Sequence, residues 1–251
     1  MREKIAVISM SGGLDSTCLA LKLLNEGYHV YGYAFDYGQR HNIELEKLKK
    51  NVYFLQVECD LAIDLQIIDV RSIFNESCSC LNDSNVAVPK GEYDESNMKS
   101  TVVENRNVIF ATILYGKALS IAKRENKNVS IALGIHAGDH TLYPDTTQES
   151  RDAVEYACKI SNWDSERVNY ITPFVDFEKY VVLREGVEAA RGIGFEDDVI
   201  EQILANTHSC YDPDSYGNSC GRCGTCKERL EAFEKCGIID PIKYIGINDN
   251  K

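Results

Sequence analysis

A chain of 251 residues, 44% hydrophobic and 26% charged, carries enough apolar material for one large α/β core with a small appendage, and no run long enough to span a membrane. A formal net charge of −12 works against a surface that gathers a polyanion, which makes nucleic acid an unfavoured partner. Met1 and three charged residues lead straight into a short apolar segment, too brief for a secretory leader, so the protein is expected in the cytoplasm and its ten cysteines in metal or nucleophile roles rather than disulfides.

Residues 5–9 read as a buried parallel strand, and a helix with Leu19, Leu23 and Leu24 on one side stops at Gly27. Between them lies Ser11-Gly12-Gly13-Leu14-Asp15-Ser16. Two adjacent glycines let backbone N–H groups turn toward an anion, the hydroxyls of Ser11 and Ser16 add donors, and the helix points its partial positive end at the same place. This phosphate cradle has neither the lysine of G-x-x-x-x-G-K-[ST] nor the spaced glycines of G-x-G-x-x-G. Residues 28–35 form the next strand, ending in Asp36-Tyr37-Gly38-Gln39-Arg40-His41, and Leu45, Leu48, Val52 and Leu55 then recur at helical spacing. A third strand is predicted over 63–70. The composition then shifts: residues 75–100 are polar and acidic around Pro89-Lys90-Gly91 and show no period, the signature of a lid, a binding loop or a disordered insertion.

Residues 106–123 resume as a helix and 129–135 as a strand that runs into the polar loop Gly138-Asp139-His140-Thr141-Leu142-Tyr143-Pro144-Asp145. A helix over 149–160, a strand over 168–172 and helices over 178–191 and 197–204 complete the alternation. No internal repeat or heptad interrupts it. The pattern predicts a doubly wound, Rossmann-like parallel sheet with its ligand loops at the carboxyl edge. Residues 1–205 would form this nucleotide-binding domain, and 206–251 a segment packed on it.

Cys210, Cys220, Cys223 and Cys226 follow the spacing C-x9-C-x2-C-x2-C, with Gly217, Gly221 and Gly224 between them. Four soft ligands in a glycine-rich loop satisfy a tetrahedral Zn²⁺ site, and an iron–sulfur cluster answers to the same thiolates. Two overlapping C-x-x-C units leave no natural dithiol pair for redox work. With all four positions filled by Cys, the centre is expected to be closed and structural. Cys18, Cys59, Cys158 and Cys236 read as small hydrophobes, and Cys78 with Cys80 as an incidental C-x-C.

The hexapeptide SGGLDS matches the pyrophosphate loop of enzymes that cut ATP between its α and β phosphates, which have the adenine nucleotide alpha hydrolase-like fold. With Phe35 to His41, Arg106-Asn107, the loop Asp139 to Asp145 and the knuckle after Thr207-His208-Ser209-Cys210-Tyr211, the chain resembles the 7-cyano-7-deazaguanine synthase family along nearly its whole length. That resemblance implies ATP, Mg²⁺, a structural Zn²⁺, a homodimer and the substrate 7-carboxy-7-deazaguanine, in a pathway of queuosine biosynthesis. The carboxylate would be adenylated, ammonia would displace AMP to give the amide, and a second ATP would drive dehydration to the nitrile. Ser11, Gly12, Gly13, Asp15 and Ser16 would hold pyrophosphate, Asp15 through the metal, with Lys179 neutralising phosphate charge. Asp36 and Gln39 would lie near the nucleotide, Arg106 and Asn107 would orient base or nucleotide, and Asp139, Tyr143 and Asp145 would line the base pocket.

Two departures fall in these pockets. The family's Phe-Val-Pro-Gly-Arg-Asn is here Val102-Val103-Glu104-Asn105-Arg106-Asn107, and its Asp-Phe-Ser-Gly-Tyr-Pro-Asp-Cys-Arg is here Asp139-His140-Thr141-Leu142-Tyr143-Pro144-Asp145-Thr146-Thr147. A paralogue that joins the activated carboxylate to another amine, on a protein or a small molecule, is therefore the alternative. A pyrophosphate-loop RNA thiolase fits the loop and the cysteines but not the acidic balance, and a non-catalytic zinc module fits the knuckle but not the loop.

Overall fold

The structure, a computed structural model, describes residues 4–40, 43–83, 85–90, 99–136 and 143–245. Among the described residues, five strands, β1 (Lys4–Ser9), β2 (Tyr28–Asp36), β3 (Ile63–Asp69), β4 (Val129–Ala132) and β5 (Val168–Ile171), alternate with seven α-helices. These are α1 (Leu14–Asn25), α2 (Ile43–Tyr53), α3 (Arg106–Glu125), α4 (Gln148–Ile160), α5 (Lys179–Ile193), α6 (Asp197–Ala205) and α7 (Gly224–Cys236). The sheet order is β3-β2-β1-β4-β5 and every pairing is parallel. The chain winds outward from β1 to β3, then crosses to β4 on the other side. The expected doubly wound sheet is thus present, and its switch point lies between β1 and β4, where such sheets open a crevice at the carboxyl ends of the strands.

β1 shows why both faces are covered. Ala6 and Ile8 enter the core formed with α1, α2, α5, α6 and α7, while Ile5 and Val7 enter the one formed with α3. The period of two thus divides one short apolar run between two layers of helices. Burying Ile8 completely contributes about 2 kcal/mol on area grounds, so Ile8→Asp would remove that and strand a charge between strands.

Several features depart from the sequence expectation. β4 ends at Ala132, short of 135, because Leu133 N–H gives one last bond to the Ile171 carbonyl (3.0 Å) and the chain then turns out along a cavity wall. β5 likewise ends at Ile171 rather than 172. The stretch 75–100 is packed where it is described: Cys80, Leu81 and Val88 are buried in the α3-side core, and Cys80 N–H bonds the Ser100 carbonyl at 2.8 Å. Cys78 is exposed, so the C-x-C is not a facing thiol pair.

Helix α7 has no counterpart in the sequence reading. Its buried side include Arg229, Ala232 and Phe233, too sparse a stripe to stand out among charges. Arg229 is 1% exposed and bidentate to Asp240 (2.8 and 2.9 Å), with a third bond to Thr207 Oγ1 (2.6 Å). This buried fork ties the last segment to the end of α6. Among the described residues, no helix is long and apolar enough to cross a membrane.

Candidate active site at the carboxyl edge of the sheet

The loop after β1 folds on its own hydroxyls. Ser11 Oγ accepts the Gly13 N–H (3.2 Å) and lies 3.2 Å from Ser16 Oγ, while Ser16 Oγ and Thr17 Oγ1 donate to the Gly13 carbonyl (3.2 and 2.9 Å). Gly12 has φ +85°, and a Cβ built there would stand 2.5 Å from the Glu44 carbonyl oxygen, so only glycine fits. Gly13 caps α1 without a side-chain bond, leaving the first N–H groups of the helix open toward the cradle.

Asp15, in the first turn of α1, meets Lys179, the first residue of α5. Lys179 Nζ lies 3.0 Å from Asp15 Oδ2 and 3.2 Å from Glu228 Oε2, and His136 Nε2 is 3.9 Å from Asp15 Oδ2. Burial alone would raise the Asp15 carboxyl, but Lys179 and His136 outweigh it and hold it below the usual carboxylate range. Its other oxygen, Oδ1, is buried without a hydrogen-bond partner. An orphaned carboxylate oxygen beside a phosphate cradle fits a hard divalent cation such as Mg²⁺.

Arg106 opens α3 on the facing wall. Its guanidinium lies over the Tyr37 ring (5.3 Å to the centroid), and its Nε donates to Asn107 Oδ1 (3.3 Å). Burial disfavours its charge, yet Tyr37, Tyr211 and Asp145 together favour it more, so its pKa rises. The preceding residue, Asn105, has φ +57°. Asparagine tolerates this left-handed conformation, so the chain turns into α3 here without a glycine.

These groups line adjoining cavities. One of about 340 Å³ runs from Ser11, Asp15 and Ser16 past Arg106 and Asn107 to Asp145. A second, of about 260 Å³, includes Ser11, Gly13, Asp15, Lys179 and Tyr211, and a third, of about 150 Å³, includes Tyr143 and Asp145. Arg106 and Asn107 belong to all three. Tyr143 is held by its hydroxyl 3.0 Å from Thr101 Oγ1.

Asp36 and Gln39 are not among the residues lining these cavities. Gln39 is spent inside its own turn: Oε1 accepts the Tyr37 N–H, and Nε2 donates to the Phe35 carbonyl and to Glu44 Oε1. Asp36 Oδ1 accepts the Gly38 N–H, and Oδ2 lies 3.7 Å from Arg71 Nε. Asp139 and His41 lie outside the described residues. The sequence reading passed over Glu44, His136, Arg151 and Glu228. Glu44 lines the second cavity, and burial pushes its carboxyl up to about 7.

The sulfurs of Cys210, Cys220, Cys223 and Cys226 all lie within 4.8 Å of one another and all four residues are buried. Backbone N–H groups of Asp212 and Cys220 point at Cys210 Sγ (3.3 and 3.2 Å), and those of Arg222 and Cys223 at Cys220 Sγ (3.4 and 3.3 Å). Sulfurs this close, with N–H donors aimed at them, fit thiolates around one metal ion. Cys210 and Tyr211 also form part of the second cavity's wall, and His208 N–H bonds the Gly12 carbonyl at 2.9 Å.

Residues 5–237 match the family described as "Queuosine biosynthesis protein QueC". This chain belongs to the QueC family. It is 36% identical over 239 residues to the 7-cyano-7-deazaguanine synthase of Caldicellulosiruptor bescii, covering 95% of this chain and 96% of that protein. It is 34% identical over 245 residues to 7-cyano-7-deazaguanine synthase 1 of Colwellia psychrerythraea, covering 97% of this chain and all of the relative. The matched residues 5–237 take in the loop after β1 and the four-cysteine knuckle of this QueC-family chain.

Proposed function

We propose that this QueC-family chain is an ATP-dependent, AMP-forming carbon–nitrogen ligase acting on 7-carboxy-7-deazaguanine. The observation that carries the reading is the continuity of the cavity, from the anion cradle at Ser11 to Ser16 to the Arg106, Asn107 and Asp145 wall. A carboxylate is a poor acyl donor, and its oxygen must attack the α-phosphorus of ATP while the bond to pyrophosphate breaks. Ser11, Ser16 and the open N–H groups of α1 receive the departing pyrophosphate, and Lys179 balances its charge. Asp15 Oδ1 would hold Mg²⁺, which supplies charge neutralisation on the phosphates. Asp145 can pair with the donor edge of the guanine-like ring, and Tyr143 supports the same wall. Ammonia then attacks the acyl carbon and AMP leaves as the amide forms; a second ATP activates the amide oxygen for loss as the nitrile is made. Zn²⁺ would be held by the four cysteines, with no position left for water. The family resemblance also carries a homodimer and a cytoplasmic site, tested by light scattering and by fractionation.

A second reading rests on Thr146, which lines the first and third cavities where the resembling family has Cys. There the activated carboxylate would pass to another amine, on a protein or small molecule. Incubation with ATP, 7-carboxy-7-deazaguanine and ammonia, followed by mass spectrometry, tests both. Free nitrile supports the first reading and overturns the second. AMP and pyrophosphate without nitrile overturns the first.

A further inference from the structure

The first cavity ends away from the cradle in a wall supplied by α4. Arg151, Val154 and Cys158 share one face of that helix at spacings of three and four, and this face is turned inward, while Tyr156 and Ile160 are exposed. Arg151 and Val154 line the cavity together with Ser150 and Tyr170. The Arg151 side chain is only 13% exposed, and its outer nitrogen Nη2 is paired with Asp152. Asp152 is oriented in turn by Gln148 Nε2 at 3.0 Å. The inner donor differs: Arg151 Nε is buried and has no hydrogen-bond partner.

A guanidinium N–H left unpaired in a buried place is costly, and a native fold retains such a group for a reason. Asp15 Oδ1 is another cavity-lining polar atom with the same status. An acceptor without a donor near the cradle and a donor without an acceptor in the α4 wall are complementary to one elongated ligand: a cation–phosphate end and an acceptor-bearing ring. Thr147 cannot serve instead. Its Oγ1 caps α4 by accepting the Ser150 N–H (3.2 Å) and donates to the Pro144 carbonyl (3.1 Å).

We propose that Arg151 binds, through its Nε–H, the acceptor edge of the deazapurine, where the ring carbonyl oxygen and the neighbouring carboxylate lie side by side. The inference rests on the functional reading above and makes Arg151 a substrate-binding residue. Apolar Leu114 and Val154 flank the ring, and the single inward donor sets which edge enters.

Calorimetric titration of the full chain with 7-carboxy-7-deazaguanine and with 7-deazaguanine, wild type beside Arg151→Gln and Arg151→Lys, tests this. Arg151→Gln should bind 7-carboxy-7-deazaguanine about 10- to 100-fold more weakly, the range expected for a lost charge-assisted hydrogen bond. An equal loss with 7-deazaguanine assigns the contact to the ring carbonyl, and a loss confined to the acid assigns it to the carboxylate; either supports the proposal. Thermal melting of the free variants identifies a misfolded one, and Arg151→Lys, which keeps the charge but lacks Nε, is then read by the same criterion. Wild-type binding of the acid with unchanged affinity in the folded variant overturns the role of Arg151 alone. Failure of the wild type to bind either compound overturns the functional reading and this inference with it.

Discussion

Replacing Lys179 by Met tests whether the Asp15–Lys179–Glu228 cluster is held by charge. Lys179 is 9% exposed, while Asp15 and Glu228 expose 28% and 29% of their side chains. Breaking a fully buried pair costs about 3–5 kcal/mol, and water reaching about a quarter of each carboxylate reduces that, so Lys179→Met should lose about 2–3 kcal/mol at pH 7. The sign of the pH dependence follows from Asp15. Its folded pKa is depressed, so the stability it contributes is present above the unfolded value of about 3.9 and is lost as pH falls through the lowered folded value. Without Lys179, burial is opposed mainly by His136 and the carboxyl takes up its proton at higher pH. The wild-type and variant stabilities should therefore converge as pH falls through the lowered folded value of Asp15. Urea denaturation at pH 7, 5 and 3 measures this, with ATP-dependent pyrophosphate release followed in parallel. A difference that is constant across those pH values would refute the electrostatic account.

Gly12→Ala should cost about 2–4 kcal/mol in urea melts and weaken ATP binding, because a left-handed alanine must also push its Cβ against the Glu44 carbonyl. Glu44→Gln should be indistinguishable from wild type below pH 4 and more stable by about 2–3 kcal/mol above pH 7, since the wild-type carboxyl is raised to about 7 by burial and loses stability as pH climbs from the unfolded value. Asn105→Gly should stay within about 0.5 kcal/mol of wild type, and Asn105→Val should lose about 1–2 kcal/mol in the same melts, as the φ of +57° demands. Elemental analysis should find one zinc per chain, lost in Cys223→Ser, with a drop in melting temperature of that variant and of chelated wild type.

Local chemistry made much of the molecule readable. Ser11 to Ser16 is a loop whose contacts are largely its own, so its residues announce it, and the four cysteines gather because one short segment carries them all. β1 and β2 were readable because each buries an apolar run on two faces, and the edge strand β3 because Ile63, Leu65 and Ile67 alternate with polar residues. Harder to see were partners distant in sequence. Glu228 reaches Lys179 from a helix whose few buried residues are hidden among charges, and His136 follows a strand that stops early to open a cavity. Asp36 and Gln39 sit at the expected strand end, yet their polar groups are taken up by the turn itself, which spacing alone does not reveal. Arg151 was overlooked for the opposite reason: its importance lies in a bond it does not make.

The bond from His208 N–H to the Gly12 carbonyl joins two segments that lie far apart in the sequence. Gly12 leaves the ribosome well before His208, since synthesis proceeds at about 5–20 residues per second. A nascent chain therefore carries an unbraced loop after β1 until the segment with the four cysteines emerges. Premature termination anywhere before the knuckle yields a product that lacks this brace, so the loop after β1 is finished only together with the cysteine segment.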